Sequence, residues 1–229
     1  AAVKIAMIMT LITQAFRYAY EPFVFNKSKD KDSKETYALA MKYFLIFTLL
    51  AFLCVTGYLD VIKYIIAPDY WEGLKVTPIV MVAGILLGVF FNLSLWYKLI
   101  DKTVYGMWFS LAGCVVLIAV NVVFIPQYSY MACAWGGVAG YGTATLLSYI
   151  FGQRIYPIDY PLKSIGVYVL LTAFFFVLMQ LVPASWPLMV RLGVNTVLIA
   201  LFIAHTVHYD FPLSALPVVG KYFRRKGGR

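Results

Sequence analysis

Charge is scarce in this chain, and acidic charge scarcest: 10 Asp and Glu stand against 19 Lys and Arg in 229 residues, and charged residues make up only 13%. A soluble domain of this size needs a much larger polar share to cover its surface, so the composition excludes one. Cysteine (3) and histidine (2) are nearly absent. Cys54, Cys114 and Cys133 lie inside apolar runs without metal-type spacing, which argues against a disulfide framework. His205, His208 and Asp210 lack a fourth ligand nearby in sequence, and no metal or cofactor is expected. Nucleophile motifs, phosphate-cradling glycine loops and clustered carboxylates are missing too, so the sequence offers no catalytic centre. Ala1 is preceded by no initiator Met, basic n-region or cleavage pattern, and the chain reads as entered partway.

What is present is apolar: 62% of residues, gathered into blocks separated by short polar connections. Blocks of about 20 residues match the hydrocarbon thickness of a bilayer. The expected fold class is therefore all-α, a polytopic membrane helix bundle of about seven spans. The blocks run from Ala2 to Phe25, Thr36 to Tyr64, Val76 to Tyr97, Val104 to Ile125, Met131 to Phe151, Leu162 to Val182 and Pro187 to His208. Asn26 to Glu35 reads as a loop, and Glu21-Pro22 and Pro126 read as helix ends.

The net charge of +9 forms no basic stripe, which points away from nucleic acid. Lys27, Lys29, Lys31, Lys34 and Lys42 flank the first connection, Lys98 and Lys102 the third, Arg154 and Lys163 the fifth, and five basic residues end the tail. The second connection has Lys63 and Lys75, offset by Asp60, Asp69 and Glu72; the fourth, and the sixth as far as Trp186, have none. That alternation places the odd connections and the C-terminus in the cytoplasm. Seven spans then put residue 1 outside, which again favours a missing upstream portion.

Arg17 is the most informative residue. It shares one helical face with Gln14 and Glu21 inside the first block. A lone intramembrane arginine is costly and must face protein or water. It is either an anion-binding position, with Glu21 as partner or coupling carboxylate, or a structural ion pair snorkelling to the boundary. Two ladders of small residues, Ala132-Gly136-Gly140-Ala144-Ser148 and Gly84-Gly88-Asn92, predict close helix packing. Asn92, Asn121, Gln180 and Asn195 read as interhelical hydrogen bonders.

The strings Gln14-Ala-Phe-Arg-Tyr-Ala-Tyr-Glu-Pro-Phe23, Tyr37-Ala-Leu-Ala-Met-Lys-Tyr-Phe44 and Pro68-Asp-Tyr-Trp-Glu-Gly-Leu74 resemble the bacterial polysaccharide and O-antigen flippases, Wzx-like members of the MOP/MATE transporter superfamily. So do Asn92-Leu-Ser-Leu-Trp-Tyr-Lys98, Asp101-Lys-Thr-Val-Tyr-Gly106, Ile125-Pro126 and Ser148-Tyr-Ile-Phe-Gly-Gln-Arg154. The resemblance covers the chain to about Pro161 and, more loosely, the last two blocks. It implies the C-terminal half of such a transporter: second-lobe helices 8–12 over 1–161, two additional helices 13–14 over 162–209, and a basic cytoplasmic tail over 210–229. Helix 8 of that scheme starts outside and ends inside, as the charge count independently requires.

The implied activity is flipping of an undecaprenyl-pyrophosphate-linked oligosaccharide from the cytoplasmic to the periplasmic leaflet, in a bacterial inner membrane with the C-terminus cytoplasmic. The implied partners are that lipid-linked oligosaccharide, membrane lipid, the missing N-terminal lobe and other polysaccharide assembly proteins. Arg17, with Gln14, would contact the anionic headgroup, and Glu21 would pair with it or join in ion coupling. A MATE-like small-solute or multidrug antiporter is the alternative, although only Glu21 and Asp60 are available as intramembrane carboxylates. An integral-membrane polysaccharide polymerase or ligase would need a long outer loop, and the outer loops here are short.

Overall fold

The computed structural model describes residues 2–27, 33–65, 68, 71–183 and 185–210. The basic cluster of the tail, Lys29, Lys31 and the Ala67, Asp69 and Tyr70 positions lie outside the described residues. The helices are α1 (Ala2–Lys27), α2 (Ser33–Gly57), the short α3 (Leu59–Ile62), α4 (Thr77–Leu93), the short α5 (Leu95–Leu99), α6 (Val104–Tyr128), α7 (Tyr130–Ile155), α8 (Leu162–Leu181) and α9 (Leu188–Tyr209). Tight 3-10 turns over Lys63–Ile65 and Glu72–Val76 flank the second connection. No strand occurs among the described residues.

Five helical runs among the described residues are long and apolar enough to cross a membrane: Ser33–Gly57, Glu72–Leu99, Val104–Tyr128, Leu162–Leu181 and Leu188–Tyr209. The chain is a multi-pass membrane protein. At 1.5 Å per residue the 25 residues of α2 reach about 37 Å, enough for the hydrocarbon and its boundary. Helices α1 and α7 have 26 residues each but fall short in apolar character. The cause differs: α1 carries Gln14, Arg17 and Glu21, whereas α7 is built from Gly, Ala, Ser and Thr, which gain little on transfer to lipid.

Helix α2 is the centre. It packs against α1, α4, α8 and α9, while α4 also meets α1 and α7, and α7 meets α6. The bundle therefore extends as a row from α6 through α7, α4 and α2 to the α8–α9 pair, with α1 in the crook between α2 and α4. Phe44, Leu53, Met81 and Phe202 are fully buried along this axis. The outer flanks are apolar and open, as at Val122 on α6 and Leu170 and Leu181 on α8. Water would not tolerate such faces, but lipid does. Three buried hydroxyls are satisfied within their own helices: Thr48, Thr172 and Thr206 donate to the carbonyls of Phe44, Tyr168 and Phe202 one turn back, at 2.8–3.0 Å.

The small-residue ladders lie at the tightest contacts. A Cβ on Gly84 would sit 3.0 Å from Met9 Cγ of α1, and one on Gly88 only 2.3 Å from Phe44 Cζ of α2. On α7, a Cβ on Gly136 would meet Asn121 Oδ1 of α6 at 2.5 Å, and one on Gly140 would meet the Gly113 carbonyl at 2.8 Å. Two turns of the ladder further on, Trp96 Nε1 donates to the Ser148 carbonyl at 3.2 Å, and its ring covers Gly152.

Two proline readings need correction. Helix α1 continues through Pro22 to Lys27, and α6 through Pro126 to Tyr128. A proline within the last turns costs one backbone bond but still accepts through its carbonyl, so the chain stays helical until something else breaks it. For α6 the break is Ser129, at φ 47°. The Asn26–Glu35 loop is shorter than expected, because Asn26 and Lys27 belong to α1 and Ser33 to Glu35 to α2. Asn195 does bridge helices, its Nδ2 donating to the Gly57 carbonyl at 2.7 Å, whereas Asn92 Nδ2 donates within its own helix to Gly88 at 3.0 Å.

Asp210, at the end of α9, accepts from Lys42 of α2 and from the Tyr168 hydroxyl of α8, and His205 stacks edge-on against Tyr168 with centroids 5.5 Å apart. Asp210 and His205 thus join Lys42 and Tyr168 in a staple across α2, α8 and α9. Tyr168→Phe removes one of its bonds and should cost ~1–1.5 kcal/mol. The check is the thermal midpoint of purified protein in detergent; an unchanged midpoint would show that the staple bears no stability.

Candidate functional site

The 3.6-residue period of α1 stacks Gln14, Arg17 and Glu21 on one face, and α1 lies where α2 and α4 meet, with Lys98 of α5 reaching that face. Arg17 Nε donates to Glu21 Oε1 at 3.2 Å. Lys98 Nζ, from α5, reaches the same carboxylate oxygen at 2.5 Å. The guanidinium lies over the Phe91 ring, 4.8 Å from its centroid, a cation–π contact that holds its plane. Two cations on one carboxylate leave the cluster one positive charge in excess.

Only Nε of Arg17 is committed to Glu21. Its terminal nitrogens meet no protein acceptor among the described residues, and its side chain is 34% exposed. A guanidinium fork held by stacking and by one ion pair, with its far edge free, is suited to a bidentate phosphate or carboxylate ligand. Gln14 sits one turn along the same face, half-buried, and makes no hydrogen bond among the described residues. Thr13, Phe16, Tyr20, Gly88 and Asn92 close the cleft behind Arg17, leaving room for about one water molecule. Thr13 Oγ1, Tyr20 OH and Asn92 Oδ1 are buried there without a protein partner. A ligand would therefore lie on the open face of α1, not in this cleft.

The cluster belongs to the basic end of the bundle. Lys34 at the start of α2 donates to the Pro157 carbonyl at 2.9 Å and lies over the Tyr156 ring, and Lys42 reaches Asp210. The 156–161 connection folds over this end, its Ile158 packed with Tyr20 and Tyr37. Burial pushes the Tyr160 phenol well above its ordinary value, with Tyr149 and Tyr156 adding to the effect.

The structure thus brings Arg17 and Glu21 together as the i, i+4 spacing requires and leaves Gln14 beside them. The sequence reading missed Lys98 as the second partner of Glu21. The signal was there: a carboxylate within an apolar block calls for cations, and Lys98 opens a short basic connection directly after Trp96-Tyr97. It also missed a charged cluster at the opposite end, where Arg191 Nη2 meets Asp60 Oδ2 at 2.5 Å. Comparison with protein-family models, with curated proteins and with solved structures finds no match to this chain, so its place among proteins rests on its fold and on the geometry of this cluster.

Proposed function

We propose that this chain is the second-lobe portion of a transporter that flips an undecaprenyl-pyrophosphate-linked oligosaccharide from the cytoplasmic to the periplasmic leaflet. The observation that carries the reading is the free edge of the Arg17 guanidinium, held by Glu21 and Phe91 on an open helix face with net positive charge. A pyrophosphate is the headgroup such a fork recognises, and a second lobe facing α1 would complete the cationic cavity. The resemblance of the Arg17-x-x-x-Glu21-Pro22 string to polysaccharide flippases supports the same substrate class.

In this reading α1 and α7 also span, giving seven crossings with the Lys34, Lys42 and Lys98 end in the cytoplasm. The lipid tail stays in the bilayer along the apolar flanks while the lobes rock about the headgroup. A proton-coupled antiporter of small solutes fits less well, because Glu21 and Asp60 each already serve two cations.

Transport itself provides the test. Reconstituted in vesicles, the protein should deliver a fluorescent polyprenyl-diphosphate saccharide to a membrane-impermeant quencher far faster than protein-free vesicles do. Equal rates with and without protein would refute the reading.

A further inference from the structure

At the end of the bundle opposite Arg17, where α2 and α8 finish and α9 begins, lies a pocket of about 350 Å³. That is the scale of a small-molecule site. Asp60 of α3 holds Arg191 at 2.5 Å and Lys63 at 3.5 Å. Lys75 also lines the pocket and makes no ion pair among the described residues. Three cations against one carboxylate, two of them paired with it and Lys75 not, leave the wall with two positive charges in excess.

The remaining walls narrow the choice of ligand. Asn195 is only 7% exposed, and its Nδ2 is used by the Gly57 carbonyl. Its Oδ1 has no partner, which is an acceptor wanting a hydroxyl or amine donor. The floor is apolar, from Phe176 and Met179 of α8, whose outer side continues into the open lipid face at Val177 and Leu181. Trp71 lies at the rim with its ring edge-on to Tyr64, centroids 5.9 Å apart, the kind of aromatic pair that sits at headgroup depth.

Phosphate for the cations, a hydroxyl donor for Asn195 and a greasy attachment beside α8 are the parts of one kind of molecule. We infer that this pocket binds an anionic lipid whose phosphate carries a hydroxylated headgroup, in the leaflet opposite the Arg17 end. The inference requires that the chain spans the membrane; it stands apart from the identity of any transported substrate.

The test uses purified full-length protein in detergent, titrated with dioleoylphosphatidylglycerol and followed by thermal midpoint. The midpoint should rise with concentration, as binding to the folded state demands, while dioleoylphosphatidylcholine, with the same tails, gives a much smaller rise. Lys75→Gln, which breaks no ion pair, should leave the lipid-free midpoint unchanged and weaken the phosphatidylglycerol effect by about tenfold in concentration. Arg191→Gln should weaken it as well. Equal shifts from the two lipids, or an unaltered response in both variants, would overturn the site. Soluble glycerol phosphate producing the full shift would overturn its assignment to a lipid.

Discussion

On the proposed function, Arg17→Ala should abolish export of surface polysaccharide in cells that depend on this protein, while the amount of protein in the membrane stays at the wild-type level. The two halves of that expectation follow from the same geometry. Glu21 keeps Lys98 as a partner when Arg17 is removed, so no carboxylate is left uncompensated and the fold loses little. The headgroup of the proposed substrate, however, would lose the free fork, and the cluster drops from one excess positive charge to none. A charge-assisted hydrogen bond contributes ~1.5–3 kcal/mol, so losing even one should slow transport roughly ten- to a hundredfold, and losing a bidentate pair more. Arg17→Lys retains charge without the planar fork and should fall between the two. Export is read from surface glycan and abundance from immunoblots of the same cells. Normal export in the alanine variant would dismiss a headgroup role, and a loss of export matched by a loss of protein would make Arg17 a structural ion-pair residue instead.

What the sequence made legible is what depends on neighbours along one helix. The Arg17–Glu21 pair follows from a four-residue spacing, and the Gly136–Gly140 ladder announces a seam because nothing but close packing rewards glycine in a membrane helix. Partners distant along the chain were not legible. Lys98 lies 77 positions from Glu21, and periodicity says nothing about which helix end will meet which. Arg191 escaped for a simpler reason: counting charge only as far as Trp186 placed it inside a span, whereas α9 begins at Leu188 and leaves it in the first turn, beside Asp60. Helix ends failed at Pro22 and Pro126 because proline weakens one backbone bond rather than stopping a helix that packing and lipid both favour.

Gly140→Leu should remove most of the protein from the membrane. At this position the obstacle is backbone: the added Cβ would lie 2.8 Å from the Gly113 carbonyl oxygen, and a Cβ on Gly113 would lie 2.6 Å from the Gly140 oxygen. Each glycine is thus the hole for the other, and no rotamer change can relieve the clash. Overfilling a packed interior costs ~1–3 kcal/mol when side chains can shift, so a rigid backbone contact should bring Gly140→Ala into that range and Gly140→Leu above it. Marginal stability makes such a loss enough to empty the folded population. Gly193→Leu provides the contrast. A Cβ there meets nothing within 4 Å, and leucine is the better helix former, so abundance should hold or rise. The pair of variants separates a packing seam from a general intolerance of bulk in these helices: equal abundance of both would mean that α6 and α7 do not meet at Gly113 and Gly140. Because α7 also backs α4, which carries Phe91 under the Arg17 guanidinium, export in Gly140→Ala should decline in step with the protein that remains.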